Sequence, residues 1–390
     1  MIGHSFAPRI EGVNPGGARP HVHIEKSMTE HLIPTPIMRR WVDDLWLAAG
    51  STPREAALTA DHLVGSNLAG HDSHGVGMVP RYVNSWLAGE LQLNQRATVV
   101  ADNGSMLTLD GQRGMGQVVT HEAMEMAICR AKQHGVCVVG LRHSHHLGRV
   151  GHWAEQAVEA GLVSVHFVNA VSKPIVAPHG GTKGRFVTNP FTVGIPVPGR
   201  DPILLDFATS AVALGKVRVA HNKRVEVPDG SLLDRHGAPT NDPSVMFPPA
   251  GTETGALLPF AGHKGYALAM VCELLGAALT GGDTTRPGHI GMQHAIWNNM
   301  LAIVFDPQSL GTTAVFGEEF DAYVEWVRSA PKREGTECIL MPGEPERATR
   351  KARANALPMD AGTLAQMDEA AAAVARARGR SPGPLSAHAR

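Results

Sequence analysis

Met106-Leu107-Thr108-Leu109-Asp110-Gly111-Gln112-Arg113-Gly114-Met115-Gly116 reads as a strand that enters a glycine-rich turn, with a helix predicted from Val118 to Gln133 directly after it. Strand, glycines and helix in that order invite a doubly wound, dinucleotide-binding reading. That fingerprint needs GxGxxG, so that one glycine makes the tight turn and another lets the backbone approach a pyrophosphate, with an acidic residue about 20 positions on. Here the spacing is GxxGxG, and no acidic residue stands convincingly at the usual distance. The Rossmann reading is rejected, and the sheet must be of another kind.

Outward from that turn the pattern stays mixed. Val136–Gly140 reads as a buried strand bounded by glycine, Trp153–Ala160 as a helix, and Val163–Val168 as an alternating strand. Short strands fit Thr192–Pro196, Ile203–Asp206 and Leu301–Phe305, and a long helix fits Gly265 to about Leu279. Residues 220–255 are rich in Gly, Pro and Asp and read mostly as loop. The fold class is therefore α/β (α+β), with a mixed-sheet, non-Rossmann domain over residues 98–345. Residues 28–97 form a helical domain. Thr35-Pro36 predicts an N-cap followed by proline, and Thr52-Pro53-Arg54-Glu55 a capping box. A third amphipathic helix covers Val79 to Ala88. Residues 346–378 form a C-terminal helical segment with an Ala-rich helix at Ala361–Arg378. Tails at 1–27 (flexible) and 379–390 (disordered) flank these parts.

Composition narrows the function classes. The 390 residues are 43% hydrophobic, enough for a core divided over two or three units. A formal net charge of −1 implies no nucleic-acid partner and no anionic membrane. No apolar run is long enough to span a bilayer. Residues 1–27 lack the apolar stretch of a signal peptide, and Met28 is an alternative start of translation. Four cysteines without a CxxC pair fit reduced thiols in a cytoplasmic protein.

Five constellations could carry chemistry. His71-Asp72-Ser73-His74-Gly75, followed by Arg81-Tyr82, puts imidazoles near a helix start, where they can exchange protons at neutral pH; Asp72 or Ser73 as a simple N-cap explains the pattern equally well. His143-Ser144-His145-His146-Leu147-Gly148 follows a strand, where loops in such folds gather active-site groups. Surface histidines or a zinc site compete there, but no HExxH occurs and His121-Glu122 lacks a second histidine; no metal is expected. Gly180-Gly181 and Thr188-Asn189-Pro190 read as structural turns. Asp206-Phe207-Ala208-Thr209-Ser210 ends a strand, where the carboxylate can accept from a ribose or nicotinamide and the hydroxyls can cradle phosphate; a capped helix is the plain alternative. Gly262-His263-Lys264-Gly265 opens a helix whose N-terminus favours anions, and Lys264 adds a full charge.

Together these stretches resemble the malate/L-lactate dehydrogenase family of the second, non-Rossmann type. The resemblance is carried by NLAGHDSHG (Asn67–Gly75), HSHHLGRVGHWAEQA (His143–Ala157), TNPF (Thr188–Phe191), LLDFATSAVALGK (Leu204–Lys216), the run from Leu257 to Gly282, and LMPGE (Leu340–Glu344), in order along the chain. It implies NAD or NADP as cofactor, with NAD slightly favoured, and a homodimer with the site near the subunit interface. It also implies a helical domain built from both chain ends. By motif match, His146 takes the place of the proton-transferring histidine and His74 that of a second acid/base or substrate contact. Asn169, Ala170, Asp206, Phe207, Ala208, Thr209, Ser210, His263, Lys264, Gly343 and Glu344 fall on cofactor-contacting positions. One departure matters: the arginine that the family carries three residues past SHG is Met78 here. A bidentate arginine–carboxylate contact is hard to replace, so Arg81, Arg149 and Lys173 are the candidate clamps, with Tyr82 orienting the substrate. Met78 would leave an adaptable apolar wall suited to bulky 2-oxo acids. The expected activity is interconversion of 2-hydroxy and 2-oxo acids. The alternatives are reduction of a cyclic imino acid, histidine-ligated metal hydrolysis, and dinucleotide binding without catalysis.

Overall fold

A computed structural model describes residues 30–389; the tail expected over 1–27, together with Met28, lies outside them. Strand β1 (Glu30–Pro34) pairs antiparallel with Ala356–Asp360, near the other end of the chain. It runs straight into α1 (Thr35–Ala49), so Thr35 is the first helical residue and not the expected N-cap. The reason is the register, which holds Pro34 opposite Ala356 and leaves no turn to cap. The Thr35 hydroxyl instead donates to the Arg353 carbonyl at 3.3 Å. Gly50 closes α1. Thr52 caps α2 (Pro53–Leu68) by accepting the Glu55 N–H, but the reciprocal half of the capping box is missing. The Glu55 carboxylate accepts from the Ser51 hydroxyl and the Asn94 N–H instead. Helix α3 (Val79–Leu87) follows after two short turns.

The body then runs β2 (Thr98–Asp102), β3 (Met106–Asp110), α4 (Gly116–His134), β4 (Val136–His145), α5 (Gly151–Glu159), β5 (Val163–Val171), β6 (Phe191–Ile195) and β7 (Ile203–Phe207). After α6 (Leu214–Lys223) come the two-residue strands β8 (Leu232–Leu233), β9 (Pro239–Thr240) and β10 (Ala256–Leu257). These pair into a small sheet over Val176, Phe186 and Val217. The stretch expected to be mostly loop therefore contains the end of α6 and a small layer with its own core. Helix α7 (His263–Glu273) gives way to a π-helical turn at Leu274–Ala278, so the single long helix expected here is two pieces. Strand β11 (Trp297–Phe305), α8 (Thr313–Arg328), α9 (Glu344–Ala352), β12 (Ala356–Asp360) and α10 (Ala361–Arg378) complete the chain.

Among the described residues the main sheet has the order β2-β3-β4-β11-β5-β6-β7. Only β3 and β4 are parallel, joined over α4; every other pair is antiparallel. That topology is a mixed sheet and not a doubly wound parallel one. Its core lies under α4 and α5, around Leu109, Met124, Val139, Leu141, Trp153 and Met300.

A second core belongs to both ends of the chain. Trp41, Leu45, Trp46, Leu63, Val64 and Tyr82 pack with Leu357, Met367, Val374 and Leu385. Leu385 lies in the segment expected to be disordered. It is fully buried in a 3₁₀ turn, and Trp41 Nε1 donates to the Gly383 carbonyl at 3.0 Å. A short apolar residue after the proline-rich run is enough to dock the segment, which composition alone does not reveal. Leu385→Ala should lower stability by about 2–3 kcal/mol, read as a lower urea midpoint at constant m; an unchanged midpoint would show that the segment is not docked.

Candidate active site

Strand β4 does not stop at Gly140. Pairing with β11 carries it to His145, opposite Trp297, with a register shift between Asn298 and Met300. The histidines expected on a loop thus sit on the strand's end, and they part company. His143, with φ of 51°, turns Nδ1 to Asp110 Oδ2 at 2.9 Å. His145 is buried with both ring nitrogens unpartnered. His146, the first residue past the strand, is buried against α3 and α4, where Nδ1 lies 2.6 Å from the Tyr82 hydroxyl.

The glycine-rich turn after β3 is what holds this segment. Gly111 and Arg113 N–H groups donate to the Arg142 and His143 carbonyls at 2.8 and 2.6 Å, and His145 N–H donates to the Gly114 carbonyl at 3.1 Å. At Gly116 any Cβ would collide with the His146 carbonyl oxygen. The glycines that tempt a phosphate-binding reading serve instead to bring α4 onto the backbone of His146. Beyond it, the Leu147 N–H donates to Asn298 Oδ1 and the Arg149 N–H to His62 Nε2, both at 2.9 Å.

His74 stacks on His146 with ring centroids 5.5 Å apart and planes at 19°. Its Nδ1 lies 3.0 Å from Ser73 Oγ. Among the described residues, Nε2 of His146 has no protein partner, and it is not one of the enclosed unpartnered atoms. The ring therefore presents Nε2 outward. Burial holds His146 neutral, well below the usual imidazole range, helped by repulsion from His74, His145 and Arg81. Burial likewise lowers His74 to about 4, with His71 and Arg149 pushing the same way and Asp206 opposing. Burial raises the Tyr82 phenol, so that group stays protonated.

The other expected site residues divide. Asp206 lies beside the pair: Oδ2 accepts the Gly151 N–H at 2.9 Å and Oδ1 the Thr192 hydroxyl at 2.8 Å. Arg149 is buried, ion-paired to Glu155, and has NH1 4.0 Å from Asp206 with NH1 and Nε unpartnered. Gly215, at the start of α6, approaches the Ser73 side chain so closely that a Cβ would stand 3.0 Å from it. Phe207 meets Phe260 edge-on at 5.3 Å, and the Phe260 N–H donates to the Thr209 carbonyl at 3.0 Å. These contacts bring the Asp206–Ser210 strand end, partly exposed Ala208 included, to the start of α7. There Ala261 and Gly262 have positive φ, and His263 and Lys264 are exposed; Lys264 is in no ion pair among the described residues.

Several expectations need correction. Arg81 does not point at the histidines as a free cation: Nε donates to the His294 carbonyl at 2.6 Å, clamping a loop that Glu90 also holds through three N–H groups. Thr209 is buried and its hydroxyl lies 3.0 Å from the Thr188 and Asn189 carbonyls, while Ser210 Oγ donates to the Val212 carbonyl. Neither hydroxyl is left to cradle phosphate. Asn169 is fully buried; its amide bonds Glu273, Asp283 and Asn299, and the Ala170 N–H donates to Asn189. Both residues brace the ends of β5 and β11. Gly343 packs on Leu204, and Glu344 turns to Arg328 and the Met341 N–H. That edge lines a cleft of about 620 Å³ with Arg200, Phe320 and Arg347. Gln117, which bonds both Tyr82 and His146, was missed, because a lone glutamine in a helix carries no signal. Among the described residues no three His, Cys, Asp or Glu side chains gather in a way that could hold a metal ion.

The malate/L-lactate dehydrogenase family profile matches residues 33–368. The chain belongs to the malate/L-lactate dehydrogenase family. Hydroxycarboxylate dehydrogenase B of Escherichia coli K12 is 46% identical over 343 residues, 87% of this chain and 94% of that protein. L-lactate dehydrogenase of Cupriavidus necator is 42% identical over 308 residues, 78% and 87% of the two chains. A solved Escherichia coli structure provisionally assigned as a malate/lactate dehydrogenase superposes with a TM-score of 0.86 at 45% identity, covering 92% of this chain and 98% of that one.

In this family member the neutral, buried histidines carry a stability consequence. His62, His145, His146 and His166 are all depressed by burial, His145 to about 3 and His166 to about 4. The unfolded chain, with imidazoles near 6.5, binds more protons than the folded one in that window, so stability rises with pH and is lost on acidification. Each buried imidazole can contribute up to about 1.4 kcal/mol per pH unit between its two values. Urea midpoints measured from pH 8 to pH 4 should hold steady and then fall steeply from about 6.5 downward; a flat profile across pH 6.5–5 would contradict the burial of these rings.

Proposed function

We propose that this protein is a nicotinamide-dependent oxidoreductase that interconverts 2-hydroxy acids and 2-oxo acids. The observation that carries the reading is the buried Tyr82–His146 pair, with one imidazole nitrogen bonded inside the protein and the other presented outward beside His74. The residues around α7 fit a dinucleotide in kind. A left-handed Ala261–Gly262 turn opens a helix N-terminus next to Lys264, which is in no ion pair among the described residues, a combination that favours phosphate. Phe207, which follows Asp206 on the strand end, meets Phe260 just before that turn. When bound, the nicotinamide supplies the hydride chemistry. The chain's own groups do the rest. His146 holds or takes up the proton at the substrate oxygen, His74 stands beside it, and Tyr82, fully buried, orients the His146 ring.

Of the three cations weighed for the carboxylate clamp, Arg81 is committed to the 294–295 carbonyls, whereas Arg149 pairs with Glu155 through NH2 and keeps NH1 and Nε without hydrogen-bond partners among the described residues. Lys173 is exposed and outside any ion pair among the described residues, so it stays a candidate beside Arg149. Met78 is half-buried against the helical core, a supported apolar wall that favours bulky 2-oxo acids. The four cysteines are free, which suits a cytoplasmic setting. No helix among the described residues is long and apolar enough to cross a membrane.

The decisive assay is a panel of 2-oxo acids (pyruvate, oxaloacetate, phenylpyruvate and hydroxyphenylpyruvate) with NADH and with NADPH, alongside a cyclic imino acid. Turnover of the aromatic acids is expected, with NADH the better donor. Turnover of the imino acid alone would move the protein to imine reduction, and no oxidation of either nicotinamide would overturn the reading. His146→Ala should cost about 10²–10⁴-fold in turnover with cofactor affinity little changed.

We also infer a homodimer. Among the described residues, helix α8 buries none of its side chains and leaves Val315, Tyr323 and Trp326 at 60, 64 and 68% exposure, an apolar face suited to a partner. Trp326→Glu should shift the protein from dimer to monomer in sedimentation; a wild-type monomer would refute the inference.

A further inference from the structure

We propose that Gln117 is a positioning residue that sets which ring nitrogen of His146 carries the proton. Its side chain is 1% exposed and belongs to the first turn of α4, delivered there by the close approach at Gly116. The amide nitrogen lies 3.3 Å from the His146 backbone carbonyl and 3.2 Å from the Tyr82 hydroxyl oxygen. The amide oxygen is buried without a partner.

These contacts fix the direction of every proton in the chain. A backbone carbonyl can only accept, so the amide nitrogen must face it; the flipped amide would oppose two carbonyl oxygens. The same nitrogen therefore donates to Tyr82. With its oxygen accepting from Gln117, the Tyr82 O–H is left to donate to Nδ1 of His146, 2.6 Å away. A nitrogen that accepts is bare, and a neutral imidazole has one proton, so that proton sits on the outward Nε2. The other titratable or charged groups near the ring are His62, His74, His145 and Arg81, and none of them bonds Nδ1.

The resting ring thus offers an N–H donor to a substrate oxygen. A neutral imidazole held in that state polarises a carbonyl, which suits an incoming 2-oxo acid. To act as a base on a hydroxy acid, Nε2 must first be stripped, which requires the Tyr82 hydroxyl to turn away from Nδ1. The hydrogen-bond chain therefore sets the resting ring to bind a 2-oxo acid by its carbonyl oxygen; completing the reduction takes one further proton from solvent, because loss of Nε2–H alone would leave an imidazolate. This rests on His146 as the proton-transferring group, but the tautomer can be read with no substrate present, so the two ideas fail separately.

The test uses the full chain labelled with ¹⁵N-histidine. The His146 signals are those that vanish in His146→Gln. In the wild type near neutral pH, Nδ1 should be of the unprotonated type and Nε2 of the protonated type; the reverse would overturn the proposal without any Gln117 variant. Gln117→Met, similar in shape but without donors, should shift both signals towards a mixture of tautomers. It should also lower kcat for 2-oxo acid reduction about tenfold with KM little changed. If Gln117 acts through Tyr82, Gln117→Met with Tyr82→Phe should lose no more than Tyr82→Phe alone. Unchanged ¹⁵N signals in Gln117→Met, or losses that multiply in the double variant, would refute the role.

Discussion

The hydrogen bond between Tyr82 and His146 joins the two halves of the molecule. Tyr82 comes from a helix of the layer built by both chain ends, and His146 from the end of a sheet strand. Neither half alone places an imidazole beside a second imidazole with one nitrogen facing outward. The bond is buried, so it is stronger than it would be in water, and leaving either partner unpaired would be correspondingly costly. The glycine-rich turn, the Asn298 side chain and His62 each bond the backbone on one side or the other of His146. The geometry is over-determined there, as a proton-transfer site requires.

Behind the site lies a second polar layer that no ligand needs to touch. The Glu273 carboxylate accepts from Asn189 at 2.7 Å and from the Thr285 N–H, and Asn169 joins it to Asn299 and Asp283. These buried groups are satisfied by one another, so they rigidify the ends of β5 and β11 at little cost. Asn169, which stands on a motif-matching position, belongs to this layer and holds the strand ends on which the acting groups stand.

How far these features were legible in the sequence depended on how local their causes are. Helix α10 begins at Ala361 because Asp360 caps it, with the carboxylate accepting the Thr363 N–H at 2.9 Å, and such a signal lies within a few residues. Rejection of the parallel fold was legible in the glycine spacing. What those glycines do was not, since the carbonyl that Gly116 must clear belongs to a strand formed later in the chain. His146 and His74 stood out because imidazoles advertise chemistry by type. The competing roles of Arg81, Thr209 and Asn169 depend on which carbonyl or amide each meets in space, and no spacing encodes that. Strand β1 was invisible for the same reason: it pairs with a strand more than 300 residues along the chain, Glu30 opposite Asp360.

That pairing has a consequence for synthesis. Helices α1 to α3 emerge from the ribosome before the sheet, yet Leu357, Met367, Val374 and Leu385, which cover their apolar faces, are translated only after it. During elongation Trp41, Trp46 and Leu63 must wait uncovered while the sheet between them and their partners is completed, a window in which aggregation competes with folding. A circular permutant that joined the segment after Leu385 to β1 and opened the chain in a surface loop of the sheet layer would make the helical layer contiguous and close that window.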